Sequence, residues 1–181
     1  MTAWIKMIKD EDANKELKSA FNEAKTPHNT VDNVLRVHSL RPSTMKGHMA
    51  LYKSVLHDKK NTIPKWFQET ISSYVSIINN CKYSLENHWK NACHLINDKS
   101  KSDKILIALN KKKPEKVFKG KELAFLIYAE KLTKHPDKIN KSDFDQLKKN
   151  RINDGQILEA NQIICYFNYV NRSINGLGIT T

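Results

Sequence analysis

A chain of 181 residues carries 31 basic against 19 acidic side chains, a formal net charge of +12, and 39% of its residues are hydrophobic. That length suits one domain, residues 1–181, with a substantial core, and the composition is that of an ordinary globular protein. A transmembrane span is excluded, since the longest apolar run, Leu123 to Ala129, is far too short.

Met1 to Lys9 reads as extended, with Trp4, Ile5, Met7 and Ile8 as anchors for the body or for a neighbouring subunit. Ala13, Leu17, Phe21 and Ala24 recur at helical spacing and predict a helix over about Glu11 to Lys25, ended by Pro27. Val31 to Leu40 reads as another short helix, and Pro42 starts one carrying Met45, Met49, Tyr52, Val55 and Leu56. His38, His48 and His57 fall in this region and read as surface or satisfied core residues. Pro64 fits a first helical position, and Phe67, Ile71, Tyr74, Val75 and Ile78 then form one apolar stripe. Glu69 points away from that stripe, with Ser73, Ser76 and Asn80 on its side, small enough to admit the next helix closely. Asn79 and Asn80 break the helix, so a second begins at or just before Cys81 and ends near Asn97. The two form a helical hairpin over about 64–97.

A helix over about Asp103 to Asn110 and a lysine-rich connection follow. Gly120 to Thr133 is apolar on almost every side from Leu123 to Leu132, which predicts burial on several faces, in the core or under a second subunit. His135-Pro136 stops it. Asn140 or Ser142 caps a short helix with Phe144 and Leu147, and Asp154 caps a last long one striped by Ile157, Ala160, Ile164 and Phe167, closed by Gly176 and Gly178. No alternating run is long enough for a strand. The expected fold class is all-α, a multi-helix bundle.

The basic charge does not point to nucleic acid. Lysines are scattered, arginines number only four, and the densest run, Lys111-Lys112-Lys113 with Lys116, Lys119 and Lys121, has Phe118 as its one aromatic platform. It reads as solvated surface. Cys81, Cys93 and Cys165 are an odd, sparse set that gives no disulfide framework, and the first residues lack a signal-peptide core. Both point to the cytoplasm. Metal is not expected, because Cys81, His88, Cys93 and His94 lack the paired short spacing of a structural zinc site. Cys165, between Ile164 and Tyr166, reads as core filler, and Cys93 as packing.

Cys81 differs. It falls in a first helical turn, where unpaired N–H groups and the helix dipole favour a thiolate. Ser84 and His88, three and seven residues on, share its helical face, and Glu69 comes from the preceding helix; Tyr83 lies off that face, near the turn. A thiol, an imidazole and a carboxylate are the parts of an activated sulfur nucleophile.

The spacing Glu69, Cys81, Ser84, His88 resembles the Glu-x11-Cys-x2-Cys-x3-His motif of the alkylhydroperoxidase D and carboxymuconolactone decarboxylase superfamily. The resemblance is to its peroxidase-related branch, and it extends over nearly the whole chain. Asn33-Val34-Leu35-Arg36-Val37 with Leu40-Arg41-Pro42, the segment Glu122 to Pro136, and Ile157 to Gly178 are similar to further segments of that branch, in the same order. The resemblance implies a thiol peroxidase of the antioxidant kind, an oxidoreductase in which His88 and Glu69 form a proton relay. Tyr83 stands where some relatives have a second histidine. It implies a homo-oligomer, trimer or hexamer, with a hydroperoxide and an external thiol reductant as small-molecule partners and no bound cofactor.

One departure matters. Ser84 stands at the second cysteine, the one to which the family assigns peroxide attack, and a serine cannot be reversibly oxidised. The two-cysteine cycle is therefore closed. Three explanations stay open: Cys81 acts alone with an external thiol, the site has diverged to another reaction or to binding, or Ser84 is an introduced residue that traps the reduced state. A lactone decarboxylase or isomerase would use His88 and Glu69 as acid and base without the thiol.

Overall fold

The computed structural model describes residues 2–180. Among them are nine α-helices and three short 3-10 segments, with no strand, so the fold is all-α. No helix of the described residues is long and apolar enough to cross a membrane. Internal contacts group the chain into two compact units. One comprises the residues up to Asp58 with those from Arg172 onward, and the other Lys59–Asn171.

In the first unit, α1 (Lys15–Ala24) starts later than its apolar spacing suggests, because the Asn14 side chain accepts the Leu17 N–H and caps it there. The predicted helix over 31–40 is a turn of α-helix, α2 (Asn33–Arg36), running on as 3-10 helix through Leu40. Pro42 opens α3 (Pro42–Leu56), as its fixed φ and missing N–H favour. Leu17, Phe21, Val31, Leu35 and Met45 pack as the core, with Ile8 against it. Of the other N-terminal anchors, Trp4 stays 76% exposed. Its N–H donates to the Leu177 carbonyl, and its ring lies where a Cβ on Gly178 would stand, 2.2 Å away. Gly178 has φ +60°, so both conformation and space require glycine there.

This unit also holds a histidine pair, His48 buried and His38 half-buried. The Thr44 hydroxyl donates to the Arg41 carbonyl, so it accepts from His38 Nδ1 at 2.8 Å. His38 Nε2 is then an acceptor, and His48 Nδ1 donates to it at 3.2 Å. His48 is 4% exposed. Burial, and then the neighbouring His38, push its pKa down to about 4, and burial lowers that of His38 too.

The second unit is built on α4 (Lys65–Ile78), preceded by Pro64 as its N-cap residue. Eleven consecutive residues of α4, Phe67 to Ile77, are buried. Its polar side is therefore as enclosed as its apolar stripe, and its serine and threonine hydroxyls bond back within the helix. Thr70, Ser72, Ser73 and Ser76 each donate to the carbonyl four residues back, at 2.7–2.8 Å. Asn79 and Asn80 end the helix, Asn80 in the left-handed region at φ 52°, and α5 (Lys82–Ile96) returns along it. Asn97, also left-handed, closes α5.

The next helix, α6 (Lys99–Asn110), begins four residues before the apolar pattern does, because the Asp98 side chain accepts the Lys101 N–H. On α7 (Gly120–Lys134), Phe125, Leu126, Tyr128 and Ala129 are buried while Ile127 is 57% exposed. Of the two helices, α4 is enclosed on more sides than α7. Phe118 and Phe125 pack on Phe67. Asn140 and Asp143 form a reciprocal capping box on α8 (Lys141–Lys149). The last helix, α9 (Asp154–Leu177), is capped by Asn153, whose side chain accepts the Gln156 N–H at 2.9 Å, one residue before the predicted Asp154. Glu159 of α9 holds the turn before α4, accepting from the Thr62 and Ile63 N–H groups and the Thr62 hydroxyl.

Candidate functional site

Cys81 is the N-cap residue of α5, at the bend of the α4–α5 hairpin, with extended backbone and its N–H donated to the Ser76 carbonyl at 2.9 Å. It is 1% exposed. Burial pushes the thiol pKa up, and the Ser84 backbone N–H, which favours the thiolate, offsets only part of this. The direction is opposite to the one expected from the helix N-terminus alone, because desolvation outweighs a single hydrogen bond. In the resting site the sulfur is a thiol.

Two turns along α5, His88 meets Glu69 of α4. Nδ1 lies 2.7 Å from Glu69 Oε2, with the carboxylate buried and the imidazole half-buried. Glu69 accepts the Nδ1 proton, which fixes the tautomer and leaves Nε2 free to take or give a proton. The ring edge packs on Phe167 of α9, with centroids 4.5 Å apart at 84°. Lys65, one turn before Glu69, is itself lowered in pKa by burial and feels the Glu69 charge.

Ser84 lies between these groups and is buried. Its hydroxyl is 2.9 Å from that of Ser76. Ser76 donates to it, sharing its one proton between the Ser84 oxygen and the Ser72 carbonyl at 2.8 Å. Asn171 of α9 donates to the Ser76 oxygen at 3.3 Å. The Ser84 hydroxyl is thus committed to a buried polar cluster. Tyr83, two residues past Cys81 in the first turn of α5, is half-buried.

Five residues singled out in the sequence therefore lie on one hairpin. The structure pairs His88 with Glu69, and it ties Ser84 to Ser76 instead of to either. Among the described residues no hydrogen bond joins Cys81 to His88, and seven residues of helix rise, about 10 Å, separate them along α5. Asn171 and Phe167 could not be found from local spacing, being contributed by a helix some eighty residues further on. Cys93 is half-buried, and Cys165 is exposed, where the sequence reading put it in the core. Its apolar neighbours turn inward at helical period and leave it on the outer face. Among the described residues no group of three or more His, Cys, Asp or Glu could hold a metal ion.

No protein-family model and no curated protein matches the sequence. Solved structures do match. An uncharacterised peroxidase-related protein of Ralstonia eutropha JMP134, described as an alkylhydroperoxidase AhpD core, shares a TM-score of 0.84 at 18% identity, over 99% of this chain and 92% of that one. A peroxidase-related protein of Silicibacter sp. TM1040 gives 0.82 at 20%, over 99% and 91%. The debrominase Bmp8 in its apo form gives 0.76 at 18%, over 99% and 91%. A cysteine-to-alanine variant of Bmp8, in complex with 2,3,4-tribromopyrrole, gives 0.77.

At these identities the likeness is one of fold. The chain has the all-α fold of the alkylhydroperoxidase D-like proteins, the fold to which its sequence motif pointed. Within that fold its structural neighbours include peroxidase-related proteins and a debrominase.

Proposed function

We propose that the protein is a one-cysteine thiol peroxidase, with Cys81 as the nucleophile and the His88–Glu69 pair as its proton relay. The observation that carries this reading is the 2.7 Å contact between His88 Nδ1 and the buried Glu69 carboxylate, two helical turns from a cysteine at a helix start. Because burial holds Cys81 as the thiol, its proton leaves only as substrate arrives, and His88 Nε2 receives it through the substrate or a water. The sulfur attacks the outer oxygen of a hydroperoxide. An S–O bond forms, the O–O bond breaks, and the alkoxide takes the proton from His88, leaving an alcohol and a sulfenic acid on Cys81.

With the Ser84 hydroxyl in place of a second thiol, the cycle closes from outside. One external thiol condenses with the sulfenic acid, releasing water and forming a mixed disulfide. A second thiol attacks that disulfide, frees Cys81 and leaves as the oxidised reductant. No bound cofactor enters this scheme. It suits a reducing, cytoplasmic setting, and a homo-oligomer, trimer or hexamer, is proposed with it.

The likeness to a debrominase favours a second reading with the same residues. The Cys81 sulfur takes a halogen from a halogenated ring, the bonding electrons stay with the ring, and the ring accepts a proton from His88. An external thiol then displaces halide from sulfur as a mixed disulfide, which a second thiol opens to free Cys81. A coupled assay with hydroperoxide, or a brominated pyrrole, plus dithiothreitol separates the readings. Cys81→Ala should abolish turnover, Cys93→Ala should leave it unchanged, and His88→Asn should lower it about 100-fold or more. Unchanged turnover in Cys81→Ala refutes both readings. Activity on a small lactone or acid that survives Cys81→Ala but not His88→Asn would identify acid–base chemistry instead.

A further inference from the structure

A cavity of about 600 Å³ opens beside the start of α4, between α6 and the segment leading into α7. Trp66, Ile105 and Phe118 give it an apolar floor, and Lys101, Lys104 and Lys119 stand around it. None of Glu69, Cys81, Ser84 and His88 lines it, although Trp66 stands within a turn of Glu69 on α4. Its volume falls within the range of small-molecule sites.

Its charge is the unusual part. From Lys99 to Lys121 the sequence has nine lysines and two acids, so 23 residues hold seven of the chain's twelve net positive charges. Lys99 is neutralised by Asp103 at 2.9 Å. Among the described residues no carboxylate pairs with Lys101, Lys104 or Lys119. The two acids on the rim, Asp98 and Glu122, lie at helix starts and leave the three lysines in excess by one charge. The Asp98 side chain accepts the Lys101 N–H, and Glu122 lies in the first turn of α7, where the dipole favours it. The Lys101 ammonium sits 5.2 Å above the Trp66 ring, which holds one cation at the mouth over an aromatic surface.

We propose that this cavity binds a small organic anion with a flat apolar body, the body on Trp66, Ile105 and Phe118 and the acid group among Lys101, Lys104 and Lys119. An apolar floor alone would take a neutral molecule, and lysines alone would take any phosphate. Their convergence on one concave surface selects a molecule with both properties, such as an aryl carboxylate. One concavity with a single aromatic floor favours it over a nucleic-acid strand, which tracks a long basic groove.

Isothermal titration with 2-naphthoate, 2-naphthylmethanol and inorganic phosphate tests this on the intact chain. Naphthoate should bind at least about ten-fold more tightly than the alcohol or phosphate. The triple variant Lys101→Gln, Lys104→Gln, Lys119→Gln should weaken naphthoate about ten-fold or more. The variant Lys111→Gln, Lys112→Gln, Lys113→Gln removes the same charge outside the cavity and should change binding by less than about two-fold. Equal weakening by the two triples, or equal affinity for naphthoate and the alcohol, overturns the proposal. So does displacement of naphthoate by an oligonucleotide whose binding depends on Lys111 to Lys113.

Discussion

Lowering the pH from 7 to 5 should destabilise the protein by about 2 kcal/mol through His48 alone. The side chain is almost fully buried, and its proton on Nδ1 is used on His38, whose orientation is set in turn by Thr44. A second proton would place a cation away from water beside another imidazole, which is why the folded pKa falls to about 4. In the unfolded chain the group titrates near its ordinary value of about 6.5. The unfolded state therefore binds more protons, and stability is complete above about pH 6.5 and lost as pH falls from there towards 4. At pH 5 the difference amounts to about 2 kcal/mol, and well below pH 4 it levels off at about 3 kcal/mol. With a urea slope of about 2 kcal/mol/M, the midpoint should move down by about 1 M. Urea unfolding at pH 7 and pH 5 should be run on the wild type, on His48→Asn, which keeps a donor towards His38 but cannot titrate, and on His28→Asn, an exposed control. The wild type and the control should lose stability alike, and His48→Asn should keep only the smaller slope due to His38. Equal losses in all three would refute the buried-neutral assignment.

Three further outcomes are expected. Cys81 should react with iodoacetamide at pH 8 at least about ten-fold more slowly than after unfolding, read by peptide mass, and its raised pKa should cost stability above about pH 8.5, where the unfolded chain ionises first. Glu159→Ala should lower stability by about 2–3 kcal/mol in thermal unfolding, since two N–H groups and a hydroxyl of the turn before α4 lose their acceptor. Ser84→Ala should cost about 1–2 kcal/mol by removing an acceptor from the Ser76 and Asn171 cluster, and Ser84→Cys should form a disulfide between Cys81 and the introduced thiol on peroxide treatment, seen as a two-dalton mass loss.

Much of the helix order was legible because the chain signals its own punctuation. Pro42 and Pro64 stand at helix starts, Asn140 is a side-chain cap, Asn97 and Gly178 adopt the left-handed backbone that ends a helix, and Asn80 does so at the α4–α5 bend. Starts without an apolar residue were harder. The first turn of α6 is Lys99 to Ser102, and only the Asp98 cap marks it. Cys165 was misplaced because a local apolar run was read without its period: Ile163, Ile164, Tyr166 and Phe167 are buried and the residue among them is not. At the site, Glu69 and His88 were readable as a pair from their spacing across a hairpin. The raised Cys81 pKa was not, because it depends on how much surface the rest of the unit removes from water. The polar cluster that occupies Ser84 draws Asn171 from some ninety residues away, beyond any local pattern.

The enclosure of α4 has a consequence for where this molecule can yield. Eleven successive residues shielded on every side give amides that exchange with deuterated solvent only when the whole unit comes apart, so the Glu69 carboxylate rides on the stretch least able to breathe. On this hairpin the more yielding side is α5, whose outer surface is open to water and which starts at the sulfur-bearing residue.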